Sequence, residues 1–176
     1  MTAIRDPAEA RAMLLDDALR ALPLLTEYGG PVVDVGSGGG SPGIPLALAL
    51  PERPFTLVEA ERRKADFLRA HAPANVEVVW GRAEEQPVDT WGVALAKALA
   101  RPATAVEWVV PLVAPGGAAF FWLGPAADLA AVAAVAAQVG GGEPVLRDGL
   151  AVVPKVAPTP AGFPRRVGVA KKRPLG

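Results

Sequence analysis

The stretch that most constrains this chain runs from Pro31 to Leu48 and reads PVVDVGSGGGSPGIPLAL. An apolar run from Pro31 to Val35, carrying the acid Asp34, meets Gly36, Gly38, Gly39 and Gly40, and the apolar spacing after Pro42 is helical. That order is strand, glycine turn, helix. A chain reversing between strand and helix visits positive φ, which glycine adopts without strain, and a missing Cβ lets a ligand lie against the backbone. Such a turn binds the nucleotide part of a cofactor. The alternative is a glycine-rich loop without a ligand.

Spacing narrows the cofactor. Dinucleotide folds use G-x-G-x-x-G, whereas here Gly36 and Gly38 are followed by Ser41, so the third glycine is missing from its place. Asp34-x-Gly36-x-Gly38-x-Gly40 instead resembles the first motif of class I S-adenosylmethionine-dependent methyltransferases. The resemblance implies cofactor-binding roles for Asp34, Gly36, Gly38 and Gly40. That ligand has no pyrophosphate, so the turn serves close approach of the methionine and ribose portions more than anion capture. A nicotinamide or flavin site is the competing reading.

Composition excludes several other chemistries. With no cysteine, disulfides, thiolate metal sites and cysteine nucleophiles are out of reach, and the lone histidine, His71, lacks companions for a metal site. The length of 176 residues predicts one domain, with residues 1–28 as an N-terminal helix, 29–148 as the cofactor-binding core and 149–176 as the last strand and a basic tail. No apolar run is long enough to span a bilayer, and the N-terminus has no signal-peptide core, so the expectation is a soluble cytoplasmic protein, monomeric by default. The formal charge is zero but unevenly spread: six of the 18 Lys and Arg, and none of the 18 Asp and Glu, fall after residue 148. Lys155, Arg165, Arg166, Lys171, Lys172 and Arg173 could face phosphates, or the tail could be a solvated or disordered terminus.

Along the chain, residues 7 to 25 read as one helix, with Asp6 as its cap and Pro7 in its first turn. Phe55 to Glu59 is a second strand ending in an acid 23 residues beyond Gly36, near the separation at which such an acid accepts hydrogen bonds from both ribose hydroxyls. Glu59 could instead serve the N-terminus of the helix predicted from Arg62 to Ala72. A third strand covers Asn75 to Trp80. The loop after it, Gly81-Arg82-Ala83-Glu84-Glu85, is expected beside the adenine, with Glu84 as a contact. Val93 to Leu95 is a fourth strand, and the following loop, Ala96 to Pro102, is where a methyl acceptor would approach. A helix from Thr104 to Val113 is expected to end at Pro115-Gly116-Gly117, followed by a buried strand from Ala118 to Leu123 and a helix over 126–139. Asp148-Gly149 joins two short strands, Pro144 to Leu146 and Leu150 to Val156, as a hairpin. The pattern is α/β. It describes a class I methyltransferase, a Rossmann-like three-layer sandwich with a mostly parallel seven-stranded sheet and expected strand order 3-2-1-4-5-7-6.

A narrower resemblance then emerges. Thr2-Ala3-Ile4-Arg5-Asp6-Pro7, the turn DVGSGGGSPGIPL (Asp34 to Leu46), Gly81 to Glu85, Pro115-Gly116-Gly117 and the tail KVAPTPAGFPRRVGVAKKRPL from Lys155 to Leu175 together resemble the bacterial small-subunit ribosomal RNA guanine-N7 methyltransferase G family, also called glucose-inhibited division protein B. The resemblance implies S-adenosylmethionine as cofactor, contacts at Gly36, Ser41, Ala83 and Glu84, and a guanine near the decoding centre of 16S ribosomal RNA, naked or in the small subunit, as substrate. The basic tail gains weight as an RNA contact from it. The chain departs from the family pattern at Leu14, Ala18, Ser41, Lys97 and Leu123, while the acid of the first helix is kept as Asp17. Lys97 replaces an arginine after the fourth strand and is a candidate acceptor-loop and cofactor residue; the change loses a planar bidentate donor. Guanine N7 attacks with an in-plane lone pair and carries no proton, so no catalytic acid or base is expected. Two other readings stay open: a methyltransferase of the same fold acting on a small molecule or protein, and a non-catalytic RNA-binding relative.

Overall fold

The computed structural model describes residues 5–124 and 127–175. Thr2, Ala3 and Ile4 of the N-terminal motif, and the start of the helix expected over 126–139, lie outside the described residues. The elements are α1 (Pro7–Arg11), a π turn (Ala12–Asp16), α2 (Asp17–Leu19), α3 (Leu22–Leu25), β1 (Val32–Val35), α4 (Gly43–Ala49), β2 (Phe55–Glu59), α5 (Arg62–His71), β3 (Val76–Trp80), β4 (Trp91–Lys97), α6 (Pro102–Val109), β5 (Val113–Trp122), α7 (Leu129–Gln138), β6 (Val145–Arg147), β7 (Leu150–Pro154) and α8 (Val169–Lys172).

The seven strands form one sheet in the order β3-β2-β1-β4-β5-β7-β6, as the sequence predicts, with β1 to β5 parallel and the β6–β7 hairpin antiparallel. Alternation along the strands sorts their side chains onto two faces. Val33, Val35, Ala94, Ala96, Ala119 and Phe121 meet α6 and α7 through Val106, Val109, Val132 and Val135. Val32, Phe55, Val93, Leu95, Phe120 and Val152 meet Leu24, Leu25 and Leu46 of α3 and α4. Each fully buried Leu, Val or Phe contributes about 1.5–3 kcal/mol. Every strand near the centre is therefore covered on both sides, which leaves its C-terminal end as the open place for a ligand.

Three local expectations need correction. The single helix over residues 7 to 25 is interrupted: it widens into the π turn and breaks at Arg20 and Ala21. Pro23 is the reason, because a proline inside a helix lacks its N–H and opposes the carbonyl four residues back; the break moves it into the first turn of α3, where neither matters. The helix after β4 ends at Val109 and tightens into a single 3-10 turn, and β5 already begins at Val113. Pro115-Gly116-Gly117 is thus not a helix stop. It is part of a bulge, where the register jumps from Trp91↔Val113 to Val93↔Ala118. Glycine is required there because a Cβ on Gly117 would run into the carbonyl oxygen of Gly92. By contrast, Asp148 and Gly149 turn as expected, with φ of 49° and 74°, both positive, as a two-residue hairpin of the twisted kind demands.

The tail departs most from a solvated arm. Lys155 is buried: its ammonium pairs with Asp89 at 2.9 Å and donates to Thr159 Oγ1 and to the carbonyl of Val110. It cannot face phosphates. Burial pushes Lys155 down and Asp89 opposes that shift, while the ammonium and Thr159 hold Asp89 below the usual carboxylate range against its own burial. Further on, the Arg165 guanidinium grips both oxygens of the fully buried Glu107 and also donates to the carbonyl of Arg173 at 2.8 Å. Gly168 N–H donates to Glu84, and Ala170 of α8 is buried against the body. Among the described residues no helix is long and apolar enough to cross a membrane.

Candidate active site

A cleft of about 420 Å³ opens at the C-terminal ends of β1, β2, β3 and β4. Its floor is the glycine turn. Gly36, Gly38 and Gly40 have φ of 72°, 54° and 103°, so the backbone there reverses in a region that side-chain-bearing residues avoid. Gly36 and Ser37 both donate to the carbonyl of Val58 on β2, at 2.8 and 3.2 Å, which staples the turn to the neighbouring strand. The Ser37 hydroxyl closes it from behind by donating to the carbonyl of Asp34 at 2.9 Å.

Glu59 ends β2 in the cleft wall, 7% exposed, and each of its oxygens accepts one backbone N–H: Gly38 on Oε2 and Glu61 on Oε1, both at 2.8 Å. The acid serves the start of α5, as one of its two sequence readings has it, and also faces the turn. Each carboxylate oxygen still has a lone pair to offer. Ala83 is buried and Glu84 half-buried in the loop after β3, both lining the cleft, and Glu84 Oε1 also accepts the N–H of Gly168 at 3.2 Å. Lys97 stands at the end of β4. Its ammonium pairs with Asp17 at 2.6 Å and donates to the carbonyl of Met13 at 2.6 Å. Ser41 lines the cleft too, but its hydroxyl donates to the carbonyl of Leu14 at 2.7 Å.

Two predicted residues stand behind the cleft rather than in its wall. Asp34 is 1% exposed, and its Oδ2 accepts the Gly43 N–H at 3.1 Å, holding the start of α4 beneath the turn, while Oδ1 has no partner. Burial pushes its carboxyl up to about 7, with the Gly43 hydrogen bond pulling the other way. It positions the turn and does not reach the space a ligand would take. Gly40 is likewise a packing residue, because a Cβ there would strike Ile44 and Leu68. Gly36 itself is crowded from one side: its missing Cβ is covered by the Leu99 side chain, so a larger residue would collide first with the protein. The space above Gly39 is open.

The sequence does not single out four contributors, although two of them, Ala98 and Leu99, fall in the loop expected to meet the methyl acceptor. Leu99 and Trp108 line the cleft, and the indole N–H of Trp108 is buried without a partner among the described residues. Asp17 reaches Lys97 only because the chain folds back over a long separation. Ala98 carried a signal too weak to read, since it is an alanine held at φ 52° in the cleft wall. Strained backbone of this kind concentrates at functional sites. Of the tail cations, Arg166, Lys171, Lys172 and Arg173 are exposed, whereas Arg165 is occupied by Glu107.

The donor set fits S-adenosylmethionine. An acid offering two lone pairs faces the turn, glycine backbone leaves room above it, and the cleft lies within the roughly 300–1,000 Å³ range of small-molecule sites. Sheet order, cleft position and the antiparallel last hairpin together define a class I methyltransferase. Human N-acetylserotonin methyltransferase in complex with SAM superposes over 80% of this chain and 52% of its own, with a TM-score of 0.65 at 12% identity, a likeness of fold.

Sequence carries the relationship further, and the chain belongs to the family described as rRNA small subunit methyltransferase G, whose match covers residues 1–137. Ribosomal RNA small subunit methyltransferase G of Roseiflexus castenholzii is 38% identical over 99% of this chain and 83% of its own length. Its counterpart from Synechococcus elongatus is 36% identical over 100% and 82%.

Proposed function

We propose that this chain transfers the methyl group of S-adenosylmethionine to N7 of a guanine in 16S ribosomal RNA, in the loop near the decoding centre, acting on the RNA or on the small subunit. The observation that carries the proposal is the joining of the glycine turn to Glu59 in an open cleft at the strand ends, in a chain related to the family over nearly its whole length. When bound, the cofactor supplies a methyl carbon made electrophilic by its sulfonium.

The residues divide the work. Gly36 and Gly38 offer backbone surface for close approach, Glu59 accepts from the ribose hydroxyls, and the Ala83–Glu84 loop borders the adenine. Lys97, Ala98 and Leu99 form the wall on the acceptor side. Bound there, the cofactor would supply its methyl group to N7 with the carbon–sulfur bonding pair leaving on sulfur, so that the positive charge would pass to the base. No proton moves at N7, so the protein's task is alignment at about 3 Å, with acidic groups favouring the cation. Arg166, Lys171, Lys172 and Arg173 hold RNA phosphates, with Arg165 as the ion pair that keeps the tail in place. The whole chain works as one unit.

The test is transfer of a labelled methyl group to small subunits or 16S RNA, followed by mass mapping of the product. Label on a guanine, lost when that guanine is replaced by another base, is the expected result. Labelled metabolites with silent RNA would refute the substrate, and absent cofactor binding by calorimetry would refute the enzyme.

A further inference from the structure

The N-terminal helix is fastened to the body at three points, two of them in the wall of the cleft. Lys97 donates to the carbonyl of Met13, Ser41 to that of Leu14 and the Trp122 indole to that of Asp17, at 2.6, 2.7 and 3.1 Å. Met13 and Leu14 belong to the π turn, a widened turn of a kind that recurs at functional sites. Between these anchors lies the Asp17–Lys97 pair, with side chains 29% and 18% exposed. Asp17 Oδ1 is taken by Arg20 at 2.7 Å, so Oδ2 is the oxygen that faces Lys97.

Lys97 lines the cleft together with Gly36 and Leu99. An ammonium there presents a difficulty for a site that takes a sulfonium, because like charges in a half-buried place repel and salt screens them poorly. Of the other cations in the wall, Lys64 is paired with Glu61 at 2.8 Å and Arg82 is exposed to solvent. Lys97 is the less exposed charge of the three, and its carboxylate comes from outside the cofactor-binding core.

We propose that Asp17 is a positioning residue for the cofactor site: it fixes the direction of the Lys97 ammonium and offsets part of its charge, so that the cleft accepts a sulfonium cation beside a cationic wall. With two of its three N–H groups held by Asp17 and Met13, Lys97 keeps one donor for a ligand. The inference rests on the cofactor assignment and not on the identity of the methyl acceptor.

S-adenosylmethionine and S-adenosylhomocysteine differ by one methyl group and one positive charge, so the ratio of their affinities reads this effect apart from any loss of shape. Calorimetric titration of the full chain with both ligands is the experiment. Asp17→Asn is expected to weaken S-adenosylmethionine about five- to tenfold and S-adenosylhomocysteine by less than about twofold. Lys97→Met, which removes the cation from the cleft wall and leaves Asp17 paired with Arg20 alone, should shift the ratio the opposite way, and Asp17→Glu should keep the wild-type ratio. Equal weakening of both ligands in Asp17→Asn, or an unchanged ratio in both Asp17→Asn and Lys97→Met, would overturn the inference while leaving the cofactor assignment standing. Wild-type protein binding neither ligand would overturn both.

Discussion

The glycine turn and the C-terminal tail approach one another at Glu84, yet they are built on opposite principles. The turn is made of backbone: its shape follows from three positive φ angles within five residues and from amides that donate to Val58 and Glu59. The tail is held by side-chain charges gathered from far along the chain, Asp89 for Lys155, Glu107 for Arg165 and Glu84 for the Gly168 amide. A backbone-made region is specified locally and tolerates little change in any of its own residues. A charge-held region is specified by pairs, so that loss of one partner leaves the other stranded in the interior.

The largest effect should fall on the charge-held side. Arg165→Ala strands the fully buried Glu107 carboxyl without its partner, which should cost about 3–5 kcal/mol of unfolding free energy in urea titrations. A loss below about 1 kcal/mol would erase the distinction between the two regions. On the backbone-made side, Gly36→Val forces a branched residue to φ 72° and displaces Leu99, and cofactor affinity should fall about a hundredfold by calorimetry while the far-ultraviolet spectrum stays native.

Asp34 sharpens the comparison through pH. Its folded-state value of about 7 lies above the ordinary 3.8, so between those values the folded chain holds a proton that the unfolded chain has released. Stability from this group therefore falls as pH rises from about 4 through about 7 and levels off beyond, a change of about 4 kcal/mol at most. Thermal melts of Asp34→Asn should be flatter over that window than those of the wild type. The smallest effect belongs to the outer face of the tail. Replacing Arg166, Lys171 and Lys172 by Ala should lower RNA affinity about tenfold and flatten its dependence on salt by about 2 in log–log slope, leaving the melting temperature and cofactor affinity unchanged.

This contrast also explains what could be read from the sequence. The turn, Glu59 at the end of β2 and the Asp148–Gly149 hairpin follow from patterns within a few residues, strand order follows from the resemblance to class I methyltransferases, and the fold agrees with each. The broken first helix is legible in principle, because Pro23 stands in the run, although the apolar spacing alone describes a continuous helix. The bulge at Pro115-Gly116-Gly117 was not, since it depends on Gly92 of the adjacent strand. In the site, the distinction between Gly38, which donates to Glu59, and Gly40, which packs on Ile44, is invisible in a row of glycines. The partners of Lys155, Arg165 and Lys97 lie tens of residues away, and charge counting sees only that the cations are clustered.

The Gly168–Glu84 hydrogen bond has a practical side. Trimming the last dozen residues as a loose end, a common step before crystallisation, would remove the amide that engages the loop bordering the cleft and, a little earlier, the guanidinium that neutralises Glu107.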